Sequence, residues 1–121
     1  VLMAFLESLS LGLPIVALDT YAVIDYISVG YNGFIVGKSE RVSSYNYEGY
    51  PTNTKRDKFV YEIMKEDREL TERLADKVRL LIRDGELRKK MGKNGRKIVE
   101  SKFSIEERNR KLKKIFDVAL E

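Results

Sequence analysis

The chain has 121 residues, enough for one domain, and is 43% apolar and 35% charged. That balance fits a folded globular protein and argues against a disordered one. It contains no cysteine and no histidine, so these residues hold no disulfide framework, no thiolate metal site, no histidine general base and no Ser-His-Asp triad. Charge is unevenly spread. Residues 1 to 36 carry no Lys or Arg and three carboxylates, Glu7, Asp19 and Asp25, while the remainder carries all 23 basic residues against 16 acidic ones. The first part reads as sheet core, and the second as solvated helices whose Glu and Lys are intermixed.

The opening run, Val1 to Leu11, is apolar almost all round and predicts a buried helix over 2–11, with Gly12 as its stop. A carboxylate in such a helix is costly unless exposed or engaged, so Glu7 is either an exposed edge residue or a ligand-holding group. Pro14 precedes an apolar strand, Ile15 to Leu18. A short helix is expected over Ala22 to Ser28, ended by Gly30. Asn32-Gly33 reads as a tight turn of residues that tolerate positive φ, before a second strand, Phe34 to Val36. Short strands alternating with helices predict a parallel sheet with crossover helices. In such sheets ligands sit at the carboxyl ends of the strands, often against helix N-termini.

Residues 37 to 62 are rich in Ser, Asn, Gly, Pro and Thr and read as a loop, with Tyr45, Tyr47, Tyr50 and Tyr61 interleaved among bases; a short helix is expected over Phe59 to Lys65. Leu70, Leu74, Val78, Leu81 and Ile82 recur at helical spacing and predict an amphipathic helix over 68–83, ended by Asp84-Gly85. Two further helices are expected, Glu86 to Met91 stopped by Gly92, and Asn94 to Lys102. Ser104-Ile-Glu-Glu107 is a capping-box sequence that opens a final helix. That helix gathers Ile105, Leu112, Ile115, Phe116, Ala119 and Leu120 on one face and needs a partner surface. The N-terminal apolar run lacks preceding bases and is broken by Glu7, Gly12 and Pro14, so it is a poor signal peptide and a poor membrane span.

The ordered set Glu7, Gly12-Leu-Pro14-Ile-Val-Ala17, Gly30-Tyr-Asn32-Gly33-Phe-Ile-Val36, Leu81-Ile-Arg-Asp84-Gly-Glu-Leu-Arg88-Lys-Lys-Met91-Gly-Lys-Asn94-Gly-Arg and Phe103-Ser104-Ile-Glu resembles the retaining glycosyltransferases of family four, which have the two-domain GT-B fold. The resemblance implies an α/β, Rossmann-like parallel-sheet fragment: the last strands and C-terminal helices of the donor-binding domain over 1–121, with a loop-rich insertion at 37–66 and the N-terminal acceptor domain absent from the chain. It implies transfer of a sugar from a nucleotide-diphosphate donor to an acceptor hydroxyl with retained configuration, with no metal and no cofactor. Glu7 matches the second glutamate of the family's Glu-x7-Glu pair and is implied to hold the ribose, while the amides of Leu2, Met3 and Ala4 would face the diphosphate. The first glutamate would lie just ahead of Val1, so no catalytic residue falls within the chain and the isolated chain is expected to be inactive. The sequence departs from the family pattern in three places: its Gly-Gly turn is Tyr21-Ala22 here, Leu2 stands where it often has Gly, and Asp25 stands where it usually has Glu.

The expected partners are a nucleotide sugar, the N-terminal part of the same enzyme, and a second copy through an exposed sheet edge or the terminal helix. The expected location is cytoplasmic or membrane-peripheral. The alternative of another class is a non-catalytic interaction or oligomerisation module. Nucleic-acid binding through the tyrosine-rich stretch ranks third and is not expected.

Overall fold

A computed structural model describes residues 3–19, 23–37 and 67–121. The expectations for Leu2, for Tyr21-Ala22, for the loop at 37–66 beyond Gly37, and for the helix at 59–65 lie outside the described residues. The architecture is mixed α/β. Two strands, β1 (Ile15–Leu18) and β2 (Gly33–Val36), pair in parallel with Ile15 opposite Gly33 and Leu18 opposite Val36. Helix α1 (Met3–Ser10) precedes β1, and a 3-10 turn (Val23–Asp25) lies in the crossover. Helices α2 (Arg68–Arg83), α3 (Gly85–Ile98) and α4 (Ile105–Ala119) follow, with a π-helical segment (Val99–Phe103) between the last two.

Strand alternation sorts the side chains onto two faces. Ile15, Ala17 and Ile35 pack with Phe5 and Leu6 of α1 and with Phe103 against the buried cluster of Val23, Tyr26 and Ile27. On the other face Val16 lines an open groove together with Val78, Leu81 and Ile82 of α2, and Lys77 lies over the Phe34 ring at 4.9 Å. The two-stranded sheet therefore has helices on both faces. Tyr26 is held between two rings: Phe103 is stacked on it at 5.2 Å, and Phe5 meets it edge-on at 6.2 Å.

Local chemistry explains most boundaries. Helix α1 ends in a Schellman motif, with Gly12 N–H donating to the Leu9 carbonyl and Leu13 N–H to the Ser8 carbonyl. Gly12 has φ +75°, which a residue with a Cβ adopts only at a cost. The expectation that α1 is buried all round is corrected. Only Leu9 is buried, because the helix lies on the outside of the small sheet, with Phe5 and Leu6 packed towards the cluster beneath it and Leu9 against Gly95 of α3. Asp84 closes α2 and opens α3: its N–H donates to the Leu80 carbonyl while its carboxylate accepts from Leu87 N–H at 2.8 Å.

Three further expectations differ from the structure. The helix expected over 22–28 is only the one 3-10 turn at Val23–Asp25. Asn32 is a fully buried brace and not merely a turn former. Its Oδ1 accepts from Ser28 N–H at 2.8 Å, and its Nδ2 donates to the Tyr26 carbonyl at 2.9 Å. Such satisfaction is what a buried amide requires, and it fixes the crossover that leads into β2. The pair of short helices divided at Gly92 is one continuous helix, α3, which runs through both Gly92 and Gly95. Gly92 is there for proximity: an added Cβ would lie 2.1 Å from the Gly12 carbonyl oxygen, so α3 packs backbone to backbone against the end of α1.

Ser104 caps α4 as expected, accepting from Glu107 N–H at 3.2 Å. The reciprocal half of the capping box is replaced by ion pairs, since the Glu107 carboxylate binds Arg110 at 2.7 Å and Lys111 at 3.5 Å. The Arg110 guanidinium lowers the Glu107 carboxyl to about 2. A depressed carboxyl stabilises the folded state above its ordinary value of 4.5 and loses that contribution as pH falls. The helicity of α4 is therefore expected to decline between those values on acidification, read by circular dichroism. In Glu107→Gln that acid-dependent step should disappear.

Candidate functional site

The two strands end side by side, with Asp19 N–H donating to the Val36 carbonyl at 2.9 Å. Both flanking helices run against the strands. The chain reverses at Gly12 between α1 and β1, so the first turn of α1 lies towards the carboxyl ends of the strands. Helix α2 has Arg73 beside Gly37, just past the end of β2, and Val78, Leu81 and Ile82 beside Leu13 and Pro14, just before β1. The N-terminus of α1 thus lies towards the carboxyl edge of a parallel sheet, an arrangement in which free backbone amides and the helix dipole favour an anion, whereas the N-terminus of α2 is already capped by the Asp67 carboxylate, which accepts from Leu70 N–H at 3.0 Å.

Met3 and Ala4 are the first two residues of α1 and are exposed. Glu7 lies one turn further along and is exposed as well. Its carbonyl accepts from Leu11 N–H at 3.1 Å and Ser10 Oγ at 2.7 Å. Its carboxylate makes no hydrogen bond or ion pair among the described residues. Of the two roles open to Glu7 in the sequence, the structure shows the exposed one, and an unengaged carboxylate is also what a ligand hydroxyl would need. Asp19 and Asp25 are exposed too. With no Lys or Arg in residues 1 to 36, positive charge described near this edge comes from α2. Arg73 is 3.9 Å from Glu69, beyond hydrogen-bond distance, with its side chain 43% exposed.

A cavity lies elsewhere among the described residues. It is an open apolar groove of about 620 Å³ at the amino end of β1, lined by Leu13, Pro14 and Val16, by Val78, Leu81 and Ile82 of α2, and by Arg88. Sequence reasoning missed this groove, because its two walls are more than sixty residues apart in the chain. Arg88 also donates to the Leu81 and Ile82 carbonyls at the end of α2, which anchors it there. Two more α3 side chains hold the loops at this end of the sheet: Asn94 Nδ2 donates to the Tyr31 carbonyl at 2.9 Å, and the Arg96 guanidinium to the Leu11 carbonyl at 3.2 Å.

Helix α4 has no buried residue, and Ile105, Ile115 and Phe116 are each more than 60% exposed. Its apolar face therefore lacks a partner among the described residues. Among those residues no helix is long and apolar enough to cross a membrane. No family model, no curated protein and no solved structure matches the chain.

Proposed function

We propose that this chain forms part of the nucleotide-sugar-binding domain of a retaining GT-B glycosyltransferase, cytoplasmic or membrane-peripheral, whose Rossmann-like sheet extends beyond the two strands described. The reading is supported by the parallel strand pair, by helices on both faces, and above all by one feature. Glu7 offers an unengaged carboxylate one turn behind the free amides of Met3 and Ala4, at the end of α1 that lies towards the carboxyl edge of the sheet. In this role the amides accept the diphosphate, and Glu7 takes two hydrogen bonds from the vicinal ribose hydroxyls, which an anion does more strongly than a neutral group. Stabilising the leaving diphosphate is then the main electrostatic task of the site. The phosphate-clamping cations and the first glutamate of the pair are supplied from outside these residues. The isolated chain accordingly binds the nucleotide weakly and does not transfer sugar.

The test is a titration of the isotopically labelled chain with uridine, guanosine and adenosine diphosphates, followed by amide shifts. Saturable shifts at Met3 to Glu7 are expected at about millimolar nucleotide, and Glu7→Ala should weaken binding by roughly tenfold or more, the worth of a charge-assisted hydrogen bond. Tight binding indifferent to Glu7→Ala, or saturable shifts confined to residues away from α1, would overturn the assignment. The exposed stripe on α4 favours a second reading, a non-catalytic module that assembles through that helix. Light scattering separates the two: under that reading the chain self-associates and Phe116→Glu returns it to monomer, with no response to nucleotide.

A further inference from the structure

We infer that α4 docks on an anionic bilayer surface, lying in the plane of the headgroups with its apolar stripe turned into the lipid. From Arg108 onward every residue of the chain is exposed. At 3.6 residues per turn, Ile105, Leu112, Ile115, Phe116 and Leu120 fall on one side of the helix. These five side chains are 41–86% exposed. A contiguous apolar stripe left in water marks an interaction surface. The helix is already formed without a partner: Ser104 caps it, Glu107 binds Arg110 at 2.7 Å, and Lys113 binds Asp117 at 2.7 Å. Docking therefore does not have to pay for nucleating a helix.

The placement of charge selects lipid as the occupant. Helix α4 carries five basic and three acidic residues. The cations border the stripe on both sides. On one side Arg108 is the i+4 neighbour of Leu112, and Lys111 that of Ile115; on the other, Lys113 lies three residues before Phe116. Glu106 and Glu107 instead have Asn109, Arg110 and Lys111 as their neighbours further along, away from the stripe. Long cationic side chains at such a border keep their heads among phosphates while their stems cover apolar surface. This is the pattern of a helix that lies on a membrane. Arg108 donates to the Asn109 side-chain oxygen at 3.1 Å and has no carboxylate partner among the described residues. A protein groove would have to supply a matched carboxylate there, whereas an anionic bilayer offers phosphates at every position. The pair of Lys113 with Asp117 is exposed and so of small net strength, which leaves the ammonium free to be shared. The surrounding charge has the same sign, since Gly85 to Glu121 holds twelve basic and six acidic residues, and anionic lipid attracts such a segment. Fifteen residues make a helix of about 22 Å, short of the roughly 30 Å hydrocarbon core, so α4 lies on the bilayer and does not cross it.

The inference rests on α4 alone, and its test uses no nucleotide, so its failure and that of the donor-site reading are distinguishable. The 121-residue chain is sedimented with vesicles of phosphatidylglycerol and phosphatidylcholine in equal parts, and with vesicles of phosphatidylcholine alone. Partition onto the anionic vesicles is expected to be stronger by roughly tenfold or more, and to fall by a similar factor between about 0.05 and about 0.5 M salt. The chain contains no tryptophan, so two variants report which side of α4 meets lipid. The emission of Phe116→Trp, on the stripe, should shift to the blue on anionic vesicles, while that of Lys114→Trp, on the opposite side, should not. Both positions are exposed, and the sedimentation comparison needs no substitution. Absence of binding to anionic vesicles would overturn the inference and leave the stripe to a protein partner. Equal binding to neutral vesicles, or equal blue shifts for the two variants, would overturn it as well. So would a Phe116→Trp emission already blue without lipid in a chain that light scattering shows to be dimeric, which gives the stripe to a second copy.

Discussion

Gly92→Ala is expected to destabilise the protein by about 3 kcal/mol, the upper range for forcing an extra carbon into a packed contact. On helix propensity alone the change should stabilise, since alanine is favoured over glycine in a helix interior by about 1 kcal/mol. Packing reverses the sign. The added carbon would lie 2.1 Å from the Gly12 carbonyl oxygen and 2.9 Å from its carbonyl carbon. Both are backbone atoms locked into the Schellman turn, so neither can rotate away as a side chain would. Relief requires α3 to back off α1, which uncovers Leu9. A loss of about 3 kcal/mol is a large share of the 5–15 kcal/mol that holds a domain together, and it lowers the melting temperature by roughly 10–20 °C. Gly95→Ala is the internal comparison. There the nearest atom is the Leu9 Cδ2 methyl at 2.9 Å, a side-chain end that can shift, so the cost should be visibly smaller. Equal melting temperatures for Gly92→Ala and the parent chain would show that α1 and α3 do not touch in this way.

Gly33→Ala is expected to cost at least as much, through a different contact. Gly33 is the register partner of Ile15, and a Cβ on it would lie 2.2 Å from the Ile15 carbonyl oxygen. Opening that gap means separating the only two strands described, together with the buried cluster their crossover carries. Chemical denaturation should show the midpoint falling, and near-UV signals from Tyr26 should be lost at lower denaturant than in the parent. Gly30→Ala provides the contrast: no atom stands within 4 Å of its Cβ position, so only the left-handed backbone at φ +78° matters. That change should cost about 1–2 kcal/mol. If Gly33→Ala is no worse than Gly30→Ala, the parallel register is wrong.

These two glycines also show where sequence reading succeeds and where it stops. Signals that act over a few residues were legible. The stop at Gly12, the strand Ile15–Leu18, the amphipathic helix Arg68–Arg83 and the cap at Ser104 all stand where periodicity and local hydrogen bonding put them. Gly92 was misread as a stop because glycine carries the same letter whether it ends a helix or lets another backbone approach one. The difference lies in Gly12, eighty residues away. Asn32 was misread for a similar reason: its amide satisfies Ser28 and Tyr26 inside the core, and only the folded crossover shows that. At the candidate site the order of elements and the place of Glu7 on α1 were legible. Its exposure was one of two readings left open, since an apolar run of eleven residues suggests a buried helix until the size of the sheet beneath it is known.

The stacking of Phe103 on Tyr26 bears on how the molecule is made. Chain emerging from a ribosome delivers the crossover long before the ring that covers it. Until Phe103 arrives, Val23, Tyr26 and Ile27 lack one wall of their enclosure, and the parallel strands cannot be locked by local contacts alone. Long-range closure of this kind slows acquisition of the native state. During synthesis the exposed cluster is therefore the surface on which a chaperone would act, and a pause in translation before residue 103 would prolong that exposure.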